Sequence, residues 1–84
     1  MYEVLLLPPA ERDLDKLKGK LFRQVIEKIA SLEVNLRPQG IKKLRLEGET
    51  YRLRVRDIRI IYRIDDREKK VFIYRVKHRK EAYR

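Results

Sequence analysis

Between Thr50 and Asp65 the chain reads TYRLRVRDIRIIYRID, and its side chains change character with a period of two. Tyr51, Leu53 and Val55 interleave with Arg52, Arg54 and Arg56. After Asp57, Ile58, Ile60, Tyr62 and Ile64 interleave with Arg59, Ile61, Arg63 and Asp65. Only an extended strand sends successive side chains to opposite sides, so this stretch predicts two strands around a tight turn. One face of the hairpin is apolar and has to be covered. The other gathers Arg52, Arg54, Arg59 and Arg63 and is left facing outward, and the C-terminal end of the last strand is expected to deliver His78, Arg79 and Lys80 nearby.

The rest of the chain supplies the cover. Tyr2 to Leu7 is apolar and predicts a first strand, ended by Pro8 and Pro9. Proline suits the first turn of a helix, so a helix is expected to open at Pro9 or Ala10, with Glu11 and Asp13 near the positive end of its dipole. Ala10, Leu14 and Leu17 form its narrow apolar stripe, and Gly19 breaks it. A second helix is predicted from Lys20 to Val34, with Phe22, Val25, Ile26, Ile29 and Leu32 on one face. Asn35, Pro38 and Gly40 mark a loop. A short strand is expected over Ile41 to Leu46, and a last one over Lys70 to Lys77, with HRKEAYR closing the chain. The order strand, two helices, then a run of strands predicts an α+β fold. An N-terminal strand is followed by a helical hairpin packed on one face of a small, mostly antiparallel sheet.

Size and composition set outer bounds. An 84-residue chain is expected to form one domain, residues 1–84, around one small core. It has no cysteine, so neither a disulfide nor a thiolate metal site is available, and one histidine does not build a zinc site alone. No metal or other cofactor is expected. No signal peptide or membrane-length apolar run is read, and the cytoplasm is the expected location. The formal net charge is +10, and it is unevenly spread. Residues 1–41 carry 7 lysines and arginines against 6 acids, whereas residues 42–84 carry 16 against 7. Such asymmetry points to a polyanionic partner, nucleic acid first.

Familiar enzyme chemistries find no residues here. There is no phosphate-cradling glycine loop, no nucleophilic cysteine and no histidine pair, and the only serine, Ser31, falls within the second helix. What remains is arginine, lysine, tyrosine and His78. These can bind a phosphodiester and stabilise the extra negative charge of its transition state, and the 2′-hydroxyl of RNA can act as an internal nucleophile. Binding alone is the simpler use of the same side chains. A single arginine alternating with apolar residues is usually only a solvated face. Four clustered on one face, with little acid between them, are a different case. Tyr51 and Tyr62 fall on the apolar register and are expected in the core.

YRLRVRDIRIIYRID, followed by a charged turn and then YRVKHRKEAYR, resembles the RelE/ParE toxin superfamily of prokaryotic toxin–antitoxin systems. The likeness covers nearly the whole chain. It implies a RelE-type endoribonuclease that cuts mRNA in the ribosomal A site by metal-independent attack of the 2′-hydroxyl. Carried over by position, Arg59 and Arg79 would hold and neutralise the scissile phosphate. Tyr83 would stack on or orient the nucleotide, or help to take the proton. Arg52 and Arg54 would grip the RNA backbone and assist proton transfer, with Arg63, Lys77 and Lys80 adding RNA-binding charge. The resemblance also implies a cognate RelB-like antitoxin with an acidic toxin-binding segment, held in a heterocomplex. Ribosome and mRNA are the other partners, and no membrane is involved.

Two departures bear on mechanism. RelE-type members carry lysines where this chain has Arg52 and Arg54. Arginine keeps its proton above pH 12 and is a poor shuttle, which makes His78 the alternative acid. Arg56 replaces the usual turn glycine, so the turn is expected to differ or to be bulged. Two other readings stay open: a ParE-like toxin that inhibits DNA gyrase by binding, and a degenerate nucleic-acid-binding toxin without cleavage.

Overall fold

The structure, a computed structural model, describes residues 1–79. Its elements run β1 (Glu3–Leu6), α1 (Pro8–Asp15), α2 (Gly19–Ser31), β2 (Lys42–Lys43), β3 (Glu49–Val55), β4 (Ile58–Asp65) and β5 (Lys70–His78). The sheet order is β1-β5-β4-β3-β2. β1 lies parallel to β5, and every other pairing is antiparallel. The expected α+β architecture of two helices on a mostly antiparallel sheet is what forms. Strand β2 is shorter than expected, since only Lys42 and Lys43 of the stretch from Ile41 to Leu46 pair with β3.

The alternation of the central hairpin becomes a two-faced sheet. Paired residues share a face, so the core face stacks in rows: Val55 with Ile58, Leu53 with Ile60 and Val76, Tyr51 with Tyr62 and Ile73, then Ile64 with Val71. All of these are buried. Val25 and Ile29 of α2, Leu32 at its C-terminal cap, and Ala10 and Leu14 of α1 complete the core, spaced as a helix spaces one face. Phe22, expected on that face, stays 37% exposed. Gly19 takes a positive φ of 61°, which a side-chain-bearing residue would adopt only at a cost, and so lets the chain turn between α1, which packs on β5, and α2, which packs on β3.

Both predicted core tyrosines are buried, and each has a polar partner. Tyr62 donates its hydroxyl to the Leu36 carbonyl at 2.9 Å, and burial above all, with Tyr51 adding to it, pushes its pKa up to about 12. Tyr51 bonds Glu49 and accepts from Arg37 Nε at 3.3 Å. Arg37 also pairs with Asp66, which accepts from Tyr2 at 2.6 Å, so the loop after α2 is tied to the strand ends at several points.

One irregularity and one ion pair fix α1 on the sheet. β1 covers β5 only as far as Ile73. There the β4–β5 register slips between Ile61 and Tyr62, leaving Tyr74 as an extra residue, a β-bulge. Beyond it the outer edge of β5 would expose an unpaired amide. Asp13 of α1 supplies the acceptor. Its Oδ2 takes the Val76 N–H at 2.8 Å and Arg75 Nε at 2.8 Å, and its Oδ1 takes Arg75 Nη2 at 3.0 Å. Asp13 is only 7% exposed. Burial works to raise its pKa, but the hydrogen bonds from Arg75 and Val76 and the charges of Arg75 and Lys77 outweigh it and hold the carboxyl below the usual range.

Removing this carboxylate leaves the Val76 amide without its acceptor and takes two hydrogen bonds from Arg75. Asp13→Ala is therefore expected to cost about 2–3 kcal/mol, read as a lowered urea midpoint. Because the folded-state pKa lies below the unfolded one, the stabilisation is full above the unfolded carboxylate value of about 4 and fades as pH falls through the folded value. Wild-type protein should lose stability steeply on that acid limb, and Asp13→Asn should flatten it.

Candidate nucleic-acid interface

The face opposite the helices is organised by the same register. Arg54 pairs with Arg59, and Arg59 pairs with Lys77, so three cations stand in one row across β3, β4 and β5. The next row holds Lys42, Arg52, Ile61 and Arg75, and the third holds Thr50, Arg63 and Phe72. Successive rows on one face are about 7 Å apart.

The first row is the unusual one. Arg59 was expected to face outward, yet it is only 4% exposed. Its Nη1 donates to the Arg56 carbonyl at 3.4 Å, and its Nε is buried without a hydrogen-bond partner. Arg54 Nε donates to the same carbonyl at 3.0 Å. Among the described residues, no carboxylate pairs with Arg54, Arg59 or Lys77. A buried guanidinium with no counter-charge is costly unless an anion completes it.

The turn that carries this carbonyl holds just Arg56 and Asp57, between the paired Val55 and Ile58. It is not bulged. Arg56 itself takes the positive φ, 55°, where a glycine would sit without strain. The bulge is in β5 instead, at Tyr74. Asp57 accepts the Arg79 N–H through its carbonyl at 2.7 Å, which brings the start of the C-terminal segment beside the turn.

The predicted site residues therefore divide. Arg54, Arg59 and Lys77 form the row, Arg52 lies on the next, and Arg79 is held at the turn. Arg63 sits two rows away and is already engaged: its Nε donates to the Tyr74 hydroxyl at 3.1 Å and its guanidinium lies 5.1 Å from the Phe72 ring centroid. The Tyr74 hydrogen bond is the main reason its pKa is raised. His78 is a correction. It pairs with Ile58 and so belongs to the helix-covered face, where it lines a cleft with Lys20, Leu21, Gln24, Arg56 and Asp57. The strand turns it away from the arginine row. The signal was in the sequence: Ile73 and Val76 are both apolar yet three apart, so the parity of β5 changes between them. Lys80 and Tyr83 lie outside the described residues. Lys42 and Arg75, which sequence reading did not single out, join the second row, although Arg75 is held by Asp13.

A profile of the ParE toxin of type II toxin–antitoxin systems, parDE, matches residues 4–83. The chain therefore belongs to the RelE/ParE superfamily and is a toxin of a type II toxin–antitoxin system. The toxin RelG of Mycobacterium tuberculosis is 38% identical over 85 residues, covering 99% of this chain and 97% of its own. Among solved structures, the RelE–RelB complex of Pyrococcus horikoshii OT3 matches with a TM-score of 0.83 and 28% identity, over 93% of this chain and 94% of the other. The RelBE2 toxin–antitoxin complex of Mycobacterium tuberculosis matches with a TM-score of 0.77 and 37% identity, over 93% and 91%. The isolated RelE toxin of E. coli, at 24% identity, shares the fold with a TM-score of 0.80, over 99% and 92%.

Two stability measurements follow from the row and its turn. Arg59→Met removes a buried cation that has no carboxylate partner among the described residues and is expected to stabilise the free protein by about 1–2 kcal/mol in urea melts. Arg56→Gly relieves roughly 1–2 kcal/mol of left-handed strain against roughly 0.5–1 kcal/mol of added chain entropy, so it should be stabilising by about 0.5 kcal/mol.

Proposed function

We propose that this toxin is a ribosome-dependent mRNA endoribonuclease that cuts in the A site without a metal. The observation that carries the reading is the Arg54–Arg59–Lys77 row, with Arg59 buried, incompletely hydrogen-bonded and lacking a counter-anion among the described residues. A scissile phosphate supplies the missing charge. The transition state for 2′-hydroxyl attack carries more negative charge than the ground state, so fixed cations at that point act on the barrier as well as on binding. Arg52 and Arg54 grip the flanking backbone, and Arg79, pinned beside the turn, closes on the same phosphate with Tyr83 beside the nucleotide.

The basic face also suits an acidic antitoxin segment. The related RelE chains from Pyrococcus horikoshii and Mycobacterium tuberculosis are found in toxin–antitoxin complexes. In this reading the resting form is likewise a heterocomplex, in which antitoxin carboxylates neutralise the row that RNA would otherwise occupy.

The ParE family match motivates a second reading, inhibition of DNA gyrase by binding. Primer extension on translating ribosomes with antitoxin-free protein separates the two. Discrete A-site cuts, absent on naked RNA and reduced at least about 100-fold by Arg59→Met, are the expected result. Intact mRNA together with trapped gyrase–DNA complexes would establish the second reading instead.

A further inference from the structure

Cleavage by this route needs a proton at the leaving 5′-oxygen, and most cations of the row cannot give one. A guanidinium is a poor proton donor to a leaving oxygen, which sets Arg54 and Arg59 aside. His78 lies on the opposite face. Among the described residues, Lys42, Lys70 and Lys77 are the lysines on the cationic face, and Lys70, opposite Asp65, lies three rows from Arg59. Lys42 is on β2, two strands from Arg59 and one row away, whereas Lys77 is directly opposite Arg59 on β5. Directly paired side chains on one face stand about 5 Å apart at Cβ. Lys77 is half-buried.

Resting on the ribonuclease reading, we infer that Lys77 is the general acid: the lysine lost from β3, where Arg52 and Arg54 stand, is replaced in function by one delivered from β5. The charged groups around it are Arg54 from β3, Arg59 from β4, Asp13 from α1, and Arg75 and Arg79 from its own strand and the residue after it. Asp13 is near enough to feel the Lys77 charge but is hydrogen-bonded to Arg75 and Val76, so the ammonium keeps its donors for substrate. In the step itself the O2′–P bond forms and the P–O5′ bond breaks. The O2′ proton passes to water, and the Lys77 ammonium gives its proton to O5′. The products are a 2′,3′-cyclic phosphate and a 5′-hydroxyl, and the neutral amine recovers a proton from water.

The test is single-turnover cleavage on programmed ribosomes, using mRNA with either oxygen or sulfur at the bridging 5′ position of the scissile bond. A thiolate leaves without a proton, so it bypasses the general acid. Lys77→Arg keeps the charge and removes the transferable proton. It should be slowed about 100-fold or more on the oxygen substrate and return close to wild-type rate on the sulfur one, with an unchanged thermal melt. Arg59→Met should be slow on both. A Lys77→Arg variant that cuts the oxygen substrate at wild-type rate overturns the assignment. One that is equally slow on both also overturns it, because Lys77 would then only hold phosphate. If wild-type protein cuts neither substrate, the ribonuclease reading itself falls and takes this assignment with it.

Discussion

Everything on the cationic face depends on the register of the β3–β4 hairpin, and that register is set by a two-residue turn. With Val55 opposite Ile58, Arg54 must stand opposite Arg59, and both must point away from the core. A slip of one residue would send the arginines inward and the isoleucines out. The apolar rows under α2 forbid that slip, so the same residues that build the core aim the cations. Arg56 accepts a backbone conformation unusual for arginine so that the turn stays short. In return its carbonyl is the common acceptor for Arg54 and Arg59, drawing two like charges together.

Such an arrangement is stable only because other parts of the molecule are well satisfied. Like charges directly across a strand pair repel, and the buried Arg59 has lost hydration without gaining a counter-ion among the described residues. Elsewhere the chain compensates its polar groups. Asp13 neutralises Arg75, Tyr62 finds the Leu36 carbonyl, and Arg37 is shared between Asp66 and Glu49. The contrast separates cations that hold the fold together from cations kept unsatisfied. Arg75 and Arg37 are of the first kind, and Arg59 is of the second.

The alternating hairpin, the helix stripes and the tyrosines of the core were legible in the sequence because periodicity reports burial directly. The faces of Arg52, Arg54 and Arg59 were legible for the same reason. The burial of Arg59 was not, because period-two patterning reports which side a residue takes and not how deeply its neighbours enclose it. The side of His78 was misjudged because a β-bulge inserts one residue and inverts parity downstream. The Asp13–Arg75 pair joins residues 62 positions apart, and no local pattern links a helix carboxylate to a strand edge. The parallel placement of β1 beside β5 is likewise a choice among sheet edges that a short apolar run does not encode.

The network at the far end of the hairpin has a consequence for approach. Glu49, Asp65 and Asp66 cluster where β3 begins and β4 ends, and Tyr2 and Arg37 hold Asp66 there. The Arg54–Arg59–Lys77 row and Arg56 lie at the opposite end, a strand length of about 20 Å away. Arg37 and Lys43 balance the acids at that end, whereas no carboxylate among the described residues pairs with the row at the turn. The excess positive charge of the sheet is therefore concentrated at one end of its strands, and an anion approaching the face meets a field that favours the turn end before any hydrogen bond forms.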